Sequence, residues 1–184
     1  MFQPQCAAHC AAYLLLQAGA LMPAGKLLVL MYFAERRWLL HDGTLMTGDD
    51  FIALPEGPRL KHITELASGR MQDTEWSRLI QTDSNGNPVL ANSVDAEELD
   101  MLSVAMIRVL DAVWETYRHW TADELSDLAR RPDVSPEYRQ AGDDGLIEPA
   151  VLLRAHSVPD ATVRAVSQHI REIQDWERCI APLL

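Results

Sequence analysis

The chain has 184 residues, 48% of them hydrophobic and 23% charged, which suits one globular domain whose core needs neither disulfide nor metal. Its net charge of −11 is uneven: residues 1–92 hold 9 acids against 7 bases, and residues 93–184 hold 18 against 9. A surface this negative repels phosphate backbones, so nucleic-acid binding is disfavoured and a protein partner, a basic one above all, suits it better.

The first predicted helix spans Gln5–Gln17 and stops at Gly19. Within it Cys6, His9 and Cys10 share a face, but no fourth ligand lies nearby, so they read as small buried core side chains rather than a metal site. With Cys179 the cysteine count is odd, which implies free thiols in a reducing compartment. The apolar stretch from Cys6 to Met22 lacks a preceding Lys or Arg and is interrupted by His9 and Gln17, unlike a signal peptide. The longest apolar run, Leu27–Ala34, is too short for a membrane span, so a cytoplasmic location is expected.

Pro23 opens a second helix through His41, apolar on nearly every side from Leu27 to Leu40. Such a helix belongs at the centre of others. Asp42-Gly43 ends it, and Phe51–Leu54 reads as a strand. Pro58 is placed to start a third helix running to Ser68. Trp76–Thr82 and Val89–Ala91 read as strands flanking a turn at Asp83-Ser84-Asn85-Gly86-Asn87. A calcium loop would need Gly at Pro88 and Glu at Val94, so the turn reading prevails.

Two capping boxes follow, Asp95 with Glu98 and Thr121 with Glu124. The first is expected to open a long amphipathic helix with Leu99, Leu102, Met106, Val109, Val113 and Tyr117 on its buried face. Leu125–Ala129 continues as a short helix, and residues 132–145 read as a surface loop. A helix from Pro149 to His156 precedes a last one from Pro159 or Asp160, with Val163, Val166, Ile170, Ile173 and Ile180 on one face. The fold class is therefore mainly α (α+β), with a small antiparallel sheet of two or three strands.

No motif for nucleophilic, metal or phosphate chemistry is present, and the six histidines are scattered, so no enzyme, cofactor or metal is expected. Asp49-Asp50 and Asp143-Asp144 read as solvated turn residues. Glu35, Arg36 and Arg37 interrupt the apolar helix, and a charge placed there needs a partner. Two accounts stand: an internal ion pair with Asp49, Asp50 or Glu56, or a charged rim around a partner-binding groove.

One ordered set of residues resembles a known family. Tyr32-Phe33-Ala34-Glu35-Arg36-Arg37-Trp38-Leu39-Leu40, then Gly43, Gly48-Asp49, Phe51-Ile52-Ala53-Leu54-Pro55 and Gly57-Pro58 is similar to the Panacea, or SocA-like antitoxin, domain of bacteria and prophages. The likeness continues through Asp95-Ala96-Glu97-Glu98-Leu99, Leu125-Ser126 and Ile147-Glu148-Pro149, covering residues 10–155, with the C-terminal helix 159–181 packed on that region as part of one domain. Val29 stands where the family commonly has Lys, and Ala129-Arg130 where it tends to carry Thr-His. The resemblance implies a helical antitoxin that binds and neutralises a toxin encoded beside it. A second implied role is that of a proteolytic adaptor to a AAA+ protease, or a phage-associated interaction protein without a toxin partner. The candidate partner-binding residues are Tyr32, Arg36, Arg37, Trp38, Asp49, Glu56, Gly57 and Pro58. The apolar Ala181-Pro182-Leu183-Leu184 reads as a docking tail or as a helix end folded onto the core.

Overall fold

The computed structural model describes residues 1–91, 94–142 and 145–180. Among them lie eight α-helices, a three-stranded and a two-stranded antiparallel sheet, and two 3-10 turns, the mainly helical α+β class that the sequence implies. Asp143-Asp144, the side chain of Ile180 and Ala181–Leu184 lie outside the described residues.

Helix α1 (Pro4–Gln17) stops where expected: Gly19 takes φ +77°, and the Ala20 N–H donates back to the Leu15 carbonyl at 2.8 Å. Helix α2 (Ala24–Asp42) follows Pro23 and ends at Gly43, whose φ of +71° is open to glycine at no steric cost. The strand β1 (Phe51–Leu54) is also where the pattern puts it.

Pro58 does not start a helix. It lies in β2 (Gly57–Leu60), which turns back on β1 with Ala53 opposite Pro58, and α3 (Lys61–Ala67) begins only afterwards. The position tolerates proline because β2 is an edge strand and Ala53 sends its N–H the other way, to Gly145 O at 2.8 Å. The expected strand over Trp76–Thr82 is likewise corrected. Asp73 Oδ1 accepts the Trp76 N–H at 2.9 Å and caps a short helix, α4 (Thr74–Leu79), leaving only β3 (Ile80–Thr82) to pair with β4 (Pro88–Leu90). The intervening turn forms as read, with Asp83 Oδ1 accepting from the Asn85 and Asn87 N–H groups at 2.8 Å each.

Both capping boxes close, yet the first opens only the 3-10 turn Ala96–Glu98. The long helix α5 (Val104–Tyr117) has its own cap, Ser103, which accepts the Met106 N–H at 3.2 Å. Helix α6 (Ala122–Ala129) follows the second box. Residues 132–145 are not simply a surface loop: the 3-10 turn Pro136–Gln140 carries Glu137 into the interior, beside an equally buried Ser135. Strand β5 (Leu146–Ile147) then joins the other edge of β1, and α7 (Pro149–Ala155) and α8 (Asp160–Ile180) complete the order. Val163 and Ile170 of α8 are buried, whereas Ile173 is 37% and Trp176 67% exposed.

Helix α2 is the hub. It packs on α1, α3, α5, α6 and β2, and from Val29 through Glu35 every residue is buried. The all-round apolar pattern is thus a consequence of five neighbours. Among the described residues no helix is long and apolar enough to cross a membrane.

Candidate functional site

Two of the three charges interrupting α2, Glu35 and Arg36, find partners that the sequence did not suggest. Arg36 Nη1 donates to Val134 O at 2.8 Å, Ser135 Oγ at 3.0 Å and Glu137 Oε1 at 3.1 Å. The Tyr32 hydroxyl donates to the same Glu137 oxygen, and His156 Nε2 to its Oε2 at 3.0 Å. Burial pushes the Glu137 carboxyl up, but His156, Tyr32 and Arg36 outweigh it and hold the pKa at about 2. The expected ion pair exists, then, but with Glu137 rather than Asp49, Asp50 or Glu56. The Arg36 guanidinium also lies over the rings of Tyr32 and Phe33, 5.3 and 4.8 Å from their centroids.

Glu35 points to the opposite side and is equally buried. Among the described residues it has no cation; instead it accepts the Met46 N–H at 2.7 Å, the Thr47 N–H at 3.0 Å and the Thr47 hydroxyl at 2.7 Å, pinning the loop after α2. Burial raises its pKa to about 7, against those donors. Asp49 plays a related part at the start of α3. It accepts from the backbone N–H groups of Asp50, His62 and Ile63 and from His62 Nδ1 at 2.8 Å, and burial raises its pKa despite them. The carboxylate thereby caps α3.

A buried arginine that sequence reasoning passed over sits under the β1–β2 turn. Arg59, 3% exposed, donates to Pro58 O at 2.8 Å, Glu56 O at 3.3 Å and Ser126 Oγ at 3.0 Å. Gly57 takes φ +115°, and a Cβ there would stand 3.3 Å from Arg59 Nη1 and from Arg130 Cγ. The Gly-Pro and Leu-Ser motifs, far apart in sequence, therefore meet on one guanidinium. The only signal was a single Arg in an otherwise apolar Gly-Pro-Arg-Leu run.

A family model described as the antitoxin SocA-like, Panacea domain matches residues 27–133, more than half of the chain. The chain belongs to the Panacea family. No curated protein and no solved structure matches it. The Panacea match takes in Arg36, Glu35, Asp49 and Arg59 but stops short of Glu137 and His156, so the deepest ion pair reaches beyond the matched span.

Most of the eight candidate residues hold the Panacea frame together. Tyr32, Asp49, Gly57 and Pro58 are buried. Trp38 is half-buried and donates through Nε1 to Thr44 Oγ1 at 2.9 Å. Glu56 is exposed at the β1–β2 turn, and among the described residues it forms no ion pair with Arg36 or Arg37. Arg36 is nearly covered, and Arg37, next to it, is exposed. Where the family tends to have Thr-His, Ala129 is buried and Arg130 ion-pairs with Asp127 and reaches Pro55 O. Val29, in the family's Lys position, is fully buried in the core. Cys6 and Cys10 are buried free thiols, as the core reading required, and Cys179 is exposed. Among the described residues no three His, Cys, Asp or Glu side chains are placed to hold a metal.

Proposed function

We propose that this protein is a non-catalytic antitoxin that binds and neutralises a toxin encoded beside it. The observation that carries the reading is the Panacea match across α2 to α6, the elements that build the hub of the fold. The chemistry is in keeping with it. Glu35, Asp49 and Glu137, the buried acids, are occupied by internal donors, so they brace a surface and are not poised to transfer protons. The charge of −11 complements a basic toxin surface and would speed its capture.

The test is co-expression with each adjacent open reading frame. One neighbour is expected to arrest growth alone, to be tolerated together with this chain, and to co-purify with it. A set of neighbours that are all harmless alone and never co-purify would defeat the proposal. Survival that instead requires a AAA+ protease, and is lost in its absence, would convert neutralisation by masking into neutralisation by delivery.

A further inference from the structure

The acidic chain contains a cleft of the opposite sign. A space of about 460 Å³ opens between α2 and α5, lined by Arg36, Arg37, His41 and His156 together with Phe33 and Tyr117, and no Asp or Glu lines it. In a protein with 27 acids and 16 bases this is a local inversion of charge. We infer that this cleft receives carboxylate side chains of a bound protein partner. The inference rests on the reading that the chain works by covering another protein, and it names the chemistry of the contact.

The cations are arranged to bind something beyond the fold. All three hydrogen bonds of Arg36 leave from Nη1, so Nη2 and Nε are without a partner among the described residues. The same guanidinium is fixed by two aromatic rings, which lowers the entropy cost of engaging an anion. Arg37 is exposed and makes no hydrogen bond or ion pair among the described residues. His41 is exposed one turn further on, and His156 is tied to Glu137 through Nε2, which leaves Nδ1 without a hydrogen-bond partner among the described residues. The end of α2 carries a partial negative charge of about half a unit, which a single cation offsets. Buried Glu137 neutralises Arg36, and the full charge of Arg37 exceeds the half unit at the helix end.

The rings decide between kinds of anion. A nucleotide would need an aromatic face on which to stack its base. Phe33 is 2% exposed, with Arg36 over its ring and Tyr117 stacked at 4.9 Å. Tyr117 is in turn met edge-on by Trp120 at 6.4 Å. Phe33 is engaged by Arg36 and Tyr117, and Tyr117 by Phe33, so what the cleft mainly offers is N–H donors, a match for a carboxylate. A negative surround with a positive cleft also rejects acidic surfaces in general while admitting an acid that reaches inside, a device for specificity.

The test uses the full chain and two probes, N-acetylated tetraglutamate and tetraglutamine, followed by NMR at the Arg37 side chain, the His41 and His156 rings and the Thr116 and Tyr117 amides. Tetraglutamate is expected to give saturable shifts at these groups, with binding weakened at least about fivefold as NaCl rises from about 0.05 to about 0.3 M. Tetraglutamine is expected to give none. The R37Q/H41Q double variant, whose two side chains are exposed, should keep its thermal midpoint and weaken tetraglutamate by about tenfold or more. Equal shifts from both peptides, no shift from either, or tighter binding of adenosine monophosphate at the same groups would overturn the inference. A chain that neutralises its toxin yet ignores tetraglutamate sinks the cleft and leaves the proposed function standing. Tetraglutamate binding without any neutralised neighbour does the reverse.

Discussion

Glu35 and Glu137 are both fully buried, and both are carboxylates attached to or aimed at α2, yet they sit in opposite electrostatic states. Glu137 has a guanidinium, an imidazole and a phenol around it, and its pKa falls to about 2. Glu35 has backbone and hydroxyl donors only, and burial lifts its pKa to about 7. Burial is the first influence on each, so the difference comes from what faces them. At Glu137 the hydrogen bonds from His156 and Tyr32, joined by the Arg36 charge, overcome desolvation, whereas the donors around Glu35 offset it only in part. The two sides of one helix are therefore held by different physics, one side by an ion pair and the other by satisfied main-chain donors.

The largest expected effect that tests this contrast is Glu137→Ala. It strands a nearly covered Arg36 together with Tyr32 and His156, and should lower stability in urea unfolding by about 3–5 kcal/mol. A loss below about 1 kcal/mol would mean that the ion pair contributes little beyond its own desolvation. Glu35→Ala should cost less, about 2 kcal/mol, because it leaves the Met46 and Thr47 N–H groups unsatisfied but also removes a carboxylate that burial disfavours.

The pH dependence should separate the two acids by sign. Burial raises Glu35, so the fold prefers its protonated form; that contribution is full below the unfolded value near 4.5 and is lost as pH rises through about 7. Glu137 is lowered, so its contribution is full above 4.5 and is lost as pH falls through about 2. Glu35→Gln should flatten the neutral limb of a stability-versus-pH curve, and Glu137→Gln the acid limb. Both variants flattening the same limb would break the comparison. The smallest effect is expected for Thr47→Val, which removes one hydroxyl donor from Glu35 at a cost of about 1 kcal/mol and should move the neutral limb to higher pH.

How much of this was legible beforehand follows from the range over which each interaction acts. Helix α2 was readable because its apolar residues run all round it, and Gly19 and Gly43 announced their stops through their own backbone freedom. The Asp83–Asn87 turn was readable because its donors and acceptor lie within five residues of one another. Even a correct local motif did not fix what came after it, since the Asp95 box closes on a single 3-10 turn. Trp76–Thr82 was misread because apolar residues in a short run suit either element, and the Asp73 cap decides for a helix.

The site itself was half legible. That Arg36 needed a partner was evident from its place in an apolar helix, but the partner lies 101 residues away in a segment rich in proline, glycine and acids that resembles solvent-exposed chain. Nothing within a few residues of Glu137 marks it as buried. The sequence by itself determined the helical class, the central helix, the turns and the family, because hydrophobic periodicity, caps and left-handed glycines act over one or two turns of chain. Only the tertiary structure decided which acid meets which base, which motif residues are buried braces, and where positive charge is left over. Those outcomes depend on distance and dielectric between segments far apart in sequence, and both are set when the chain closes on itself.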